Sequence, residues 1–267
     1  MGHHSSMTAT HSEQRLAVRG LPLDPLTEAE VVARVMDALR EGRGGWIATP
    51  NVDHVRRAAR DARLAELIRT ASISVADGAP VVWATRLAGS PVPARVTGAD
   101  LLWSLSGAAA AEGRTVYLLG GEPGVPERAG MALQAAYPEL KVVGSCSPPR
   151  GFEHDPDEMA RCLEDLLAKA PDIVFVGLGF PKQENVISTF TPQLPGTWWL
   201  GCGAALPFAA GDLKRAPTWM RPLGLEWFFR LAHEPRRLFR RYVLEDAPFV
   251  FHLLSWALLA RLRLALR

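Results

Sequence analysis

The sequence predicts an α/β fold, in which a doubly wound, mostly parallel sheet is followed by an all-helical C-terminal segment. Short β-branched runs alternate with longer segments of helical periodicity through residues 16–200, and this alternation is typical of a parallel sheet with helices on both faces. After Gly211 the pattern is helical only. With 267 residues, 48% of them hydrophobic, the chain can bury one large core.

The predicted elements follow one another closely along the chain. Strands are expected over residues 16–19, 45–48, 73–76, 115–119, 141–144, 172–177 and 197–201. Thr27 and Glu30 have the spacing of a capping box, so a helix is expected from there to about Glu41. Further helices are expected over 52–70, 80–88, 98–112, 125–137, 156–170 and 182–189. This series predicts a Rossmann-like arrangement.

Composition divides the chain into three parts. Residues 1–14 are polar, without the apolar core of a signal peptide, and are expected to be disordered or a remnant of cloning. Residues 15–213 form the predicted α/β domain, and residues 214–267 form a helical appendage that prolines divide into short pieces: Pro217, Pro222, Pro235 and Pro248. The three cysteines lie far apart and form no CxxC motif, which favours a reducing, cytosolic compartment over a disulfide or zinc framework.

The C-terminal appendage combines basic charge with apolar length. From Lys214 onward it carries eleven basic residues against four acidic ones, whereas the whole chain has a net charge of only +2. Its longest apolar run, residues 249–260, is shorter than the roughly 20 residues that a membrane-spanning helix needs. Arginines interleaved with Leu, Phe and Trp are typical of a helix lying at an anionic membrane surface, and argue against a nucleic-acid partner.

Polar and glycine residues recur just after the predicted strands, where open α/β sheets bind their ligands. Asp77 follows one strand and precedes Gly78. Partial burial there could raise its pKa enough for a general base. Alternatively, the residue could cap the helix that begins near Pro80. Position alone favours the cap.

The other strand ends allow similar alternatives. Thr49 and Asn51 could bind sugar hydroxyls or a phosphate, or Asn51 could cap the next helix, where His54 is either a packing residue or a proton carrier. Residues 177–184 place glycines and Lys182 at a helix N-terminus, which suits a phosphate although no P-loop motif is present. Asp155-Pro-Asp157 matches a metal-binding DxD pattern, but an N-cap followed by proline is the favoured interpretation, and no other metal site is indicated.

Taken together, ordered sequence blocks resemble the WecG/TagA/CpsF family of bacterial glycosyltransferases from about residue 16 to residue 242. The blocks are Thr49-Pro50-Asn51, Val75-Ala76-Asp77-Gly78, Pro93-Ala94-Arg95-Val96-Thr97-Gly98-Ala99-Asp100, the segment 177–184, Lys214-Arg215-Ala216-Pro217, Gly224-Leu225-Glu226-Trp227 and Glu234-Pro235-Arg236-Arg237. The resemblance implies inverting transfer of a sugar from a UDP-sugar to an undecaprenyl-diphosphate-linked saccharide for envelope or exopolysaccharide glycans. The implied donors carry N-acetylmannosamine, its uronic acid, or glucuronic acid.

The resemblance also assigns roles to residues. Asp77 matches the catalytic base, and the matching substrate contacts are Thr49, Asn51, Arg95, Lys182 and Gln183, with Arg95 facing the diphosphate. Basic residues of the appendage are expected to meet the acceptor diphosphate or the membrane: Arg215, Arg221, Arg230, Arg236 and Arg237. No metal or other cofactor is implied, and the chain is expected to be peripheral on the inner face of the plasma membrane, with a homo-oligomer possible.

Two departures from the family pattern concern substrate choice. Leu206-Pro207 stands where many relatives have an aspartate after an aromatic residue, and Val186 stands near an expected tryptophan. These changes leave the donor sugar open. A non-catalytic protein that binds a nucleotide-sugar or phospholipid at the membrane is the alternative, and it predicts UDP binding without turnover. A soluble nucleotide-dependent enzyme with a nucleic-acid-binding tail is a further one.

Overall fold

The computed structural model describes residues 15–221 and 223–265, so the prediction for residues 1–14 lies outside the described residues. Within this part of the chain, six parallel strands form one sheet in the order β4-β3-β8-β7-β5-β6. The strands are β3 (Gly45–Ala48), β4 (Ile73–Ser74), β5 (Thr115–Leu119), β6 (Lys141–Cys146), β7 (Ile173–Val176) and β8 (Trp198–Gly201). The predicted fold class is confirmed.

The first predicted strand does not join this sheet. It pairs instead as β1 (Leu16–Val18) with an antiparallel strand that was not predicted, β2 (Leu21–Leu23). Arg19 and Gly20 both have positive φ, which folds the chain back sharply. The short Leu-Pro-Leu run of β2 gave no strand signal, because proline is confined to edge strands.

The helices flank the sheet on both faces. They are α1 (Glu28–Arg40), α2 (Val52–Ala58), α3 (Ala62–Arg69), α4 (Ala79–Leu87), α5 (Gly98–Ala111), α6 (Val125–Ala136), α7 (Pro156–Lys169), α8 (Lys182–Phe190) and α9 (Ala205–Ala209). The capping box of Thr27 and Glu30 is confirmed at the start of α1. The prediction of one continuous helix over 52–70 is wrong. Asp61 accepts hydrogen bonds from the Arg63 and Leu64 amides and so begins a second helix, α3.

Alternate side chains of each strand enter two separate apolar clusters. Tyr117, Val174 and Trp199 point into one cluster, together with apolar residues of α2, α3, α4, α7 and α8. Val116 and Phe175 point into the other, which α1, α5, α6 and α9 complete. Burial on both faces explains the nearly continuous hydrophobic runs of these strands.

The C-terminal segment contains α10 (Glu226–His233), α11 (Pro235–Phe239), a π-helical stretch (Arg240–Asp246) and α12 (Ala247–Ala265). The expectation that Pro248 separates two helices is wrong, because one helix runs through Pro235–Arg263. The π-helical stretch ends just before Pro248, and its wider turn accommodates a residue that has no amide hydrogen to donate.

One face of α12 belongs to the core of the protein. Phe249, Leu253 and Ala257 are buried in the same cluster as α4, whereas Phe251 and Leu259 are exposed. By length and composition, the helix Pro235–Arg263 could cross a membrane. The same helix packs one face against α4. This contact also fits a helix that lies on the surface of the protein with its other face outward.

Candidate active site

Asp77 lies at the carboxyl edge of the sheet, between the ends of β3 and β4. Its amide donates a hydrogen bond of 3.0 Å to the Pro50 carbonyl, which joins the two strand ends. Gly78, with φ of 94°, is the N-cap of α4, and no side chain makes the cap hydrogen bond there. The interpretation of Asp77 as a helix cap is therefore wrong, because its carboxylate makes no capping hydrogen bond to α4.

The surroundings of Asp77 make it a stronger base than an ordinary aspartate. Burial raises its pKa to about 6; Arg95 and His54 act to lower the pKa, while Glu226 and Asp100 act to raise it. About a quarter of the side chain, 26%, is still accessible, so a substrate hydroxyl could reach it. Such a carboxylate is ionised at neutral pH and can accept a proton effectively.

Arg95 begins a chain of alternating charges beside Asp77. Its Nη1 lies 3.9 Å from Asp77 Oδ1 and 3.3 Å from Glu226 Oε2. On the far side of Glu226, Arg215 Nε lies 3.5 Å from Oε1, and Arg215 Nη1 makes a firm 2.7 Å ion pair with Asp100. Arg95 thus stands next to the candidate base, and Arg215 lies further along the same chain of charges.

The N-terminus of α5 closes the floor of this site. Thr97 caps the helix and donates a 2.7 Å hydrogen bond to Asp100, which fixes the carboxylate that holds Arg215. A Cβ on Gly98 would lie 3.0 Å from Cys202 Cα and 3.5 Å from Thr49 Oγ1. Glycine at this position therefore lets α5 approach the ends of β3 and β8 and brings the buried Thr49 into the site.

A second polar group lies around Asn51. Its Oδ1 accepts hydrogen bonds from the Asp53 and His54 amides, so the cap interpretation is confirmed, and His54 Nδ1 lies 2.8 Å from the same oxygen. The imidazole stacks near Phe180, and its Nε2 is 3.7 Å from Glu184 Oε1. His54 is thus a buried, oriented residue of this group.

Gln183 connects two loops at the edge of the sheet. Its Oε1 accepts hydrogen bonds from the Gly179 and Gly203 amides, and its Nε2 donates to Glu184. Lys182 is paired with Glu153 at 2.9 Å. In this arrangement Gln183 holds the two loops together, and a ligand contact by Lys182 would have to compete with Glu153.

The basic residues of the appendage are spread over different surroundings. Only Arg215, among those expected to meet the acceptor, contacts the charge chain; Arg221 donates to the Ala216 carbonyl at 2.8 Å, and Arg230 lies over the Phe208 ring at 5.5 Å. Arg236 and Arg237 are exposed on α11. The structure therefore brings one of the five arginines, Arg215, into the chain of charges that starts at Asp77, and the other four lie outside it.

The departure at Leu206 and the DxD-like segment have structural explanations. Leu206 is fully buried and packs against Gly177, so this position serves the core. Asp155 accepts hydrogen bonds from the Asp157 and Glu158 amides, which confirms that it caps α7. Within residues 15–221 and 223–265, no group of three or more His, Cys, Asp or Glu side chains is arranged to hold a metal ion.

Sequence reasoning did not assign roles to Glu226 or Asp100, and it left His54 open. Both acidic residues stand inside blocks quoted for the family resemblance, Gly224 to Trp227 and Pro93 to Asp100. That membership was the available signal. The contact of Glu226 with Arg95 and that of Asp100 with Arg215 join residues that lie more than 100 positions apart in the sequence, so no local pattern shows them.

Comparison with known proteins identifies the family of this chain. Residues 16–263 match the family model described as "Glycosyl transferase WecG/TagA/CpsF family". The chain is 31% identical to the N-acetylglucosaminyldiphosphoundecaprenol N-acetyl-beta-D-mannosaminyltransferase of Bacillus subtilis (strain 168) over 195 residues, which is 73% of each chain. It is 32% identical to the enzyme of the same name from Staphylococcus aureus (strain MW2) over 228 residues, 85% of this chain and 87% of the relative. The chain therefore belongs to the WecG/TagA/CpsF family of glycosyltransferases.

Proposed function

We propose that this glycosyltransferase moves a sugar from a UDP-sugar to an undecaprenyl-diphosphate-linked saccharide, with Asp77 as the base. The observation that carries the proposal is the juxtaposition of Asp77, whose pKa is raised to about 6, with Arg95 at 3.9 Å. The names of the relatives, which are transferases acting on N-acetylglucosaminyldiphosphoundecaprenol, support a lipid-linked acceptor. An acid–base group beside a cationic group is what transfer from a nucleoside diphosphate requires.

In the proposed reaction Asp77 accepts the proton of an acceptor hydroxyl. The acceptor oxygen forms a bond to the anomeric carbon of the donor while the bond from that carbon to UDP breaks on the opposite face. Arg95 stabilises the negative charge that develops on the leaving diphosphate, as a guanidinium fork does well. An α-linked donor would give a β-linked product, in line with the β-linkage in the relatives' names.

The donor is proposed to carry N-acetylmannosamine, with its uronic acid and glucuronic acid as alternatives. The relatives' names support the first. Thr49 and Asn51 lie on the same sheet edge as Asp77 and are proposed to contact the sugar, while Lys182 and Gln183 are proposed on the nucleotide side.

We propose that the reaction is independent of divalent metal, because the guanidinium group of Arg95 supplies positive charge beside the base and Arg215 adds a second one beyond Glu226. The turnover rate should therefore be unchanged in excess EDTA. Loss of activity in EDTA that magnesium or manganese restores would contradict this part of the proposal.

The enzyme is proposed to work as a peripheral protein on the inner face of the plasma membrane. The outer face of α12 exposes Phe251, Leu258, Leu259 and Leu262, and exposed arginines lie on α11. Apolar side chains bordered by basic ones suit the interface of an anionic bilayer. A peripheral position would also place the active site within reach of a lipid-linked acceptor, which Arg215, Arg221, Arg230, Arg236 and Arg237 are proposed to approach.

The direct test is a panel of UDP-sugars incubated with a short-chain polyprenyl-diphosphate saccharide and followed by mass spectrometry. The proposal expects one donor to add a single sugar residue to the lipid-linked acceptor. UDP binding without any product across the panel would favour the non-catalytic alternative instead.

A further inference from the structure

Glu226 lies between two guanidinium groups. One of its carboxylate oxygens accepts a 3.3 Å hydrogen bond from Arg95 Nη1, and the other lies 3.5 Å from Arg215 Nε. Charge-assisted hydrogen bonds between such groups are normally shorter, about 2.7–2.9 Å. Arg215 Nε is buried and has no hydrogen-bond partner within the part of the chain that the structure describes. Glu226 therefore leaves Arg215 with a donor that is available to an anion.

Arg215 is held in place from another direction as well. It is anchored by the 2.7 Å ion pair with Asp100, which Thr97 in turn orients, whereas Arg95 has Asp77 at 3.9 Å on its other side. Arg95 keeps 19% of its side chain exposed, and Arg215 keeps 13%. The two guanidinium groups are thus partly desolvated, and an anion between them would be bound more strongly than in open solvent.

The helix that carries Glu226 contributes no residue to the apolar core. None of the side chains of α10, which lies wholly within the described residues, is fully buried, although Arg230 lies over the Phe208 ring. Glu226, in the first turn of that helix, is the contact that joins α10 to Arg95 and Arg215. Its departure would therefore uncover no apolar core.

We propose that Arg95 and Arg215 form one diphosphate site, and that the Glu226 carboxylate occupies this site in the free enzyme and is displaced when the diphosphate binds. A diphosphate and Glu226 in the same place would repel each other, so both cannot be held at once. The inference rests on the proposed function, because the diphosphate belongs either to the nucleotide donor or to the lipid-linked acceptor. Glu226 is then a positioning residue that offsets the repulsion between the two arginines and keeps them oriented until substrate arrives.

Binding measurements on a charge-neutral variant test this exchange. Glu226→Gln keeps the shape of the side chain and removes its charge, so inorganic pyrophosphate should bind at least about fivefold more tightly by calorimetry, the lower limit of a typical coupling between sites. Glu112→Gln is the matched control, since Glu112 pairs with Arg40 beyond the opposite end of α5. Its affinity for pyrophosphate should equal that of the parent.

A second measurement uses the parent enzyme and does not depend on how the variant folds. Amide hydrogen exchange within residues 226–233 should become faster when pyrophosphate is added, because displacement of Glu226 releases α10. The proposal requires both results. Equal or weaker pyrophosphate binding by Glu226→Gln, or unchanged or slower exchange in α10 of the parent, overturns it.

Two further ligands identify the source of the diphosphate. If the site serves the donor, UDP should reproduce the pyrophosphate effects; if it serves the acceptor, farnesyl diphosphate should reproduce them. The effect of Glu226→Gln on pyrophosphate binding can appear even if no UDP-sugar is turned over, in which case the proposed function alone fails. Turnover of a UDP-sugar with identical pyrophosphate binding by parent and variant would overturn only the role of Glu226.

Discussion

At the scale of single residues, the site depends on how one carboxylate is placed among charges. Burial, Glu226 and Asp100 raise the pKa of Asp77, whereas Arg95 and His54 lower it. The balance keeps it ionised at neutral pH but more basic than a solvent-exposed aspartate. An ionised carboxylate in these surroundings lowers the free energy of unfolding, and such a loss of stability is common at active sites.

That cost gives a prediction with a defined pH range. The pKa of Asp77 is about 6 in the folded state against 3.8 in the unfolded reference, so folding disfavours its ionised form. Stability linked to this group is present below about pH 4 and is lost as pH rises through about 6. Asp77→Asn should therefore unfold at a higher denaturant concentration than the parent at pH 7.5, with the difference vanishing below pH 4. A variant less stable than the parent at pH 7.5 would contradict the charge balance described here.

Arg95 provides a second test at this scale. Arg95→Ala removes a guanidinium that faces both Asp77 and the proposed diphosphate. We expect the binding free energy of UDP to weaken by more than about 1.5 kcal/mol, the value of a charge-assisted hydrogen bond. Calorimetry with Arg114→Ala as control measures this, because Arg114 pairs with Asp172 near the opposite ends of the strands. Equal UDP affinity in both variants would exclude Arg95 from the diphosphate site.

At the scale of secondary-structure elements, a buried ion-pair network joins α2 to the π-helical stretch. Arg56 contacts Asp53 on its own helix and both Glu245 and Asp246 across the interface. The side chains of Arg56 and Asp53 are each only 8% exposed. This network holds the C-terminal helix against α2, the helix that Asn51 caps and that carries His54.

Removing the central cation should be strongly destabilising. Arg56→Ala leaves Asp53 and Asp246 as poorly compensated buried charges, and breaking one partner of a buried pair costs roughly 3–5 kcal/mol. Arg40→Ala, which breaks an exposed cluster with Asp37 and Glu112, should lower stability much less, because solvent screens exposed ion pairs. Urea denaturation of both variants at pH 7 gives the comparison. Similar losses in the two would mean that the network contributes no more than surface ion pairs.

Most elements could be predicted because their signals are local. The strand of Gly45–Ala48 and that of Thr115–Leu119 have the predicted bounds, since buried parallel strands read as short apolar runs. The break at Asp61 and the passage of a helix through Pro248 could not be predicted, because tertiary packing decided whether each pattern continued. The same reason applies to the site: Asp77 was visible at a strand end, but the contact of Glu226 with Arg95 joins residues that are 131 positions apart.

At the scale of the whole molecule, α12 has two different faces. Phe249, Leu253 and Ala257 are core residues, so deleting the tail from Asp246 would uncover α4 as well as remove the proposed membrane surface. Substitutions confined to the outer face separate the two roles more sharply than a truncation does.

The outer-face variant combines Phe251→Ser, Leu258→Ser and Leu259→Ser. We expect it to sediment less with anionic liposomes than the parent does, because each lost apolar side chain removes buried area at the interface. The control combines Met131→Ser and Leu167→Ser, which are exposed apolar residues on α6 and α7. Both proteins should melt near the parent temperature. Undiminished liposome binding by the outer-face variant would place the membrane contact elsewhere.

The central claim is that Asp77 is the base in a glycosyl transfer, and one rate comparison tests it most directly. Parent and Asp77→Asn are mixed at saturating concentration with the UDP-sugar that the panel identifies and a polyprenyl-diphosphate saccharide, and single-turnover product formation is followed by mass spectrometry at pH 7.5. The account predicts that the variant, folded and still binding UDP, forms product about 10²- to 10⁴-fold more slowly. Product formation by Asp77→Asn at a rate close to that of the parent would contradict it.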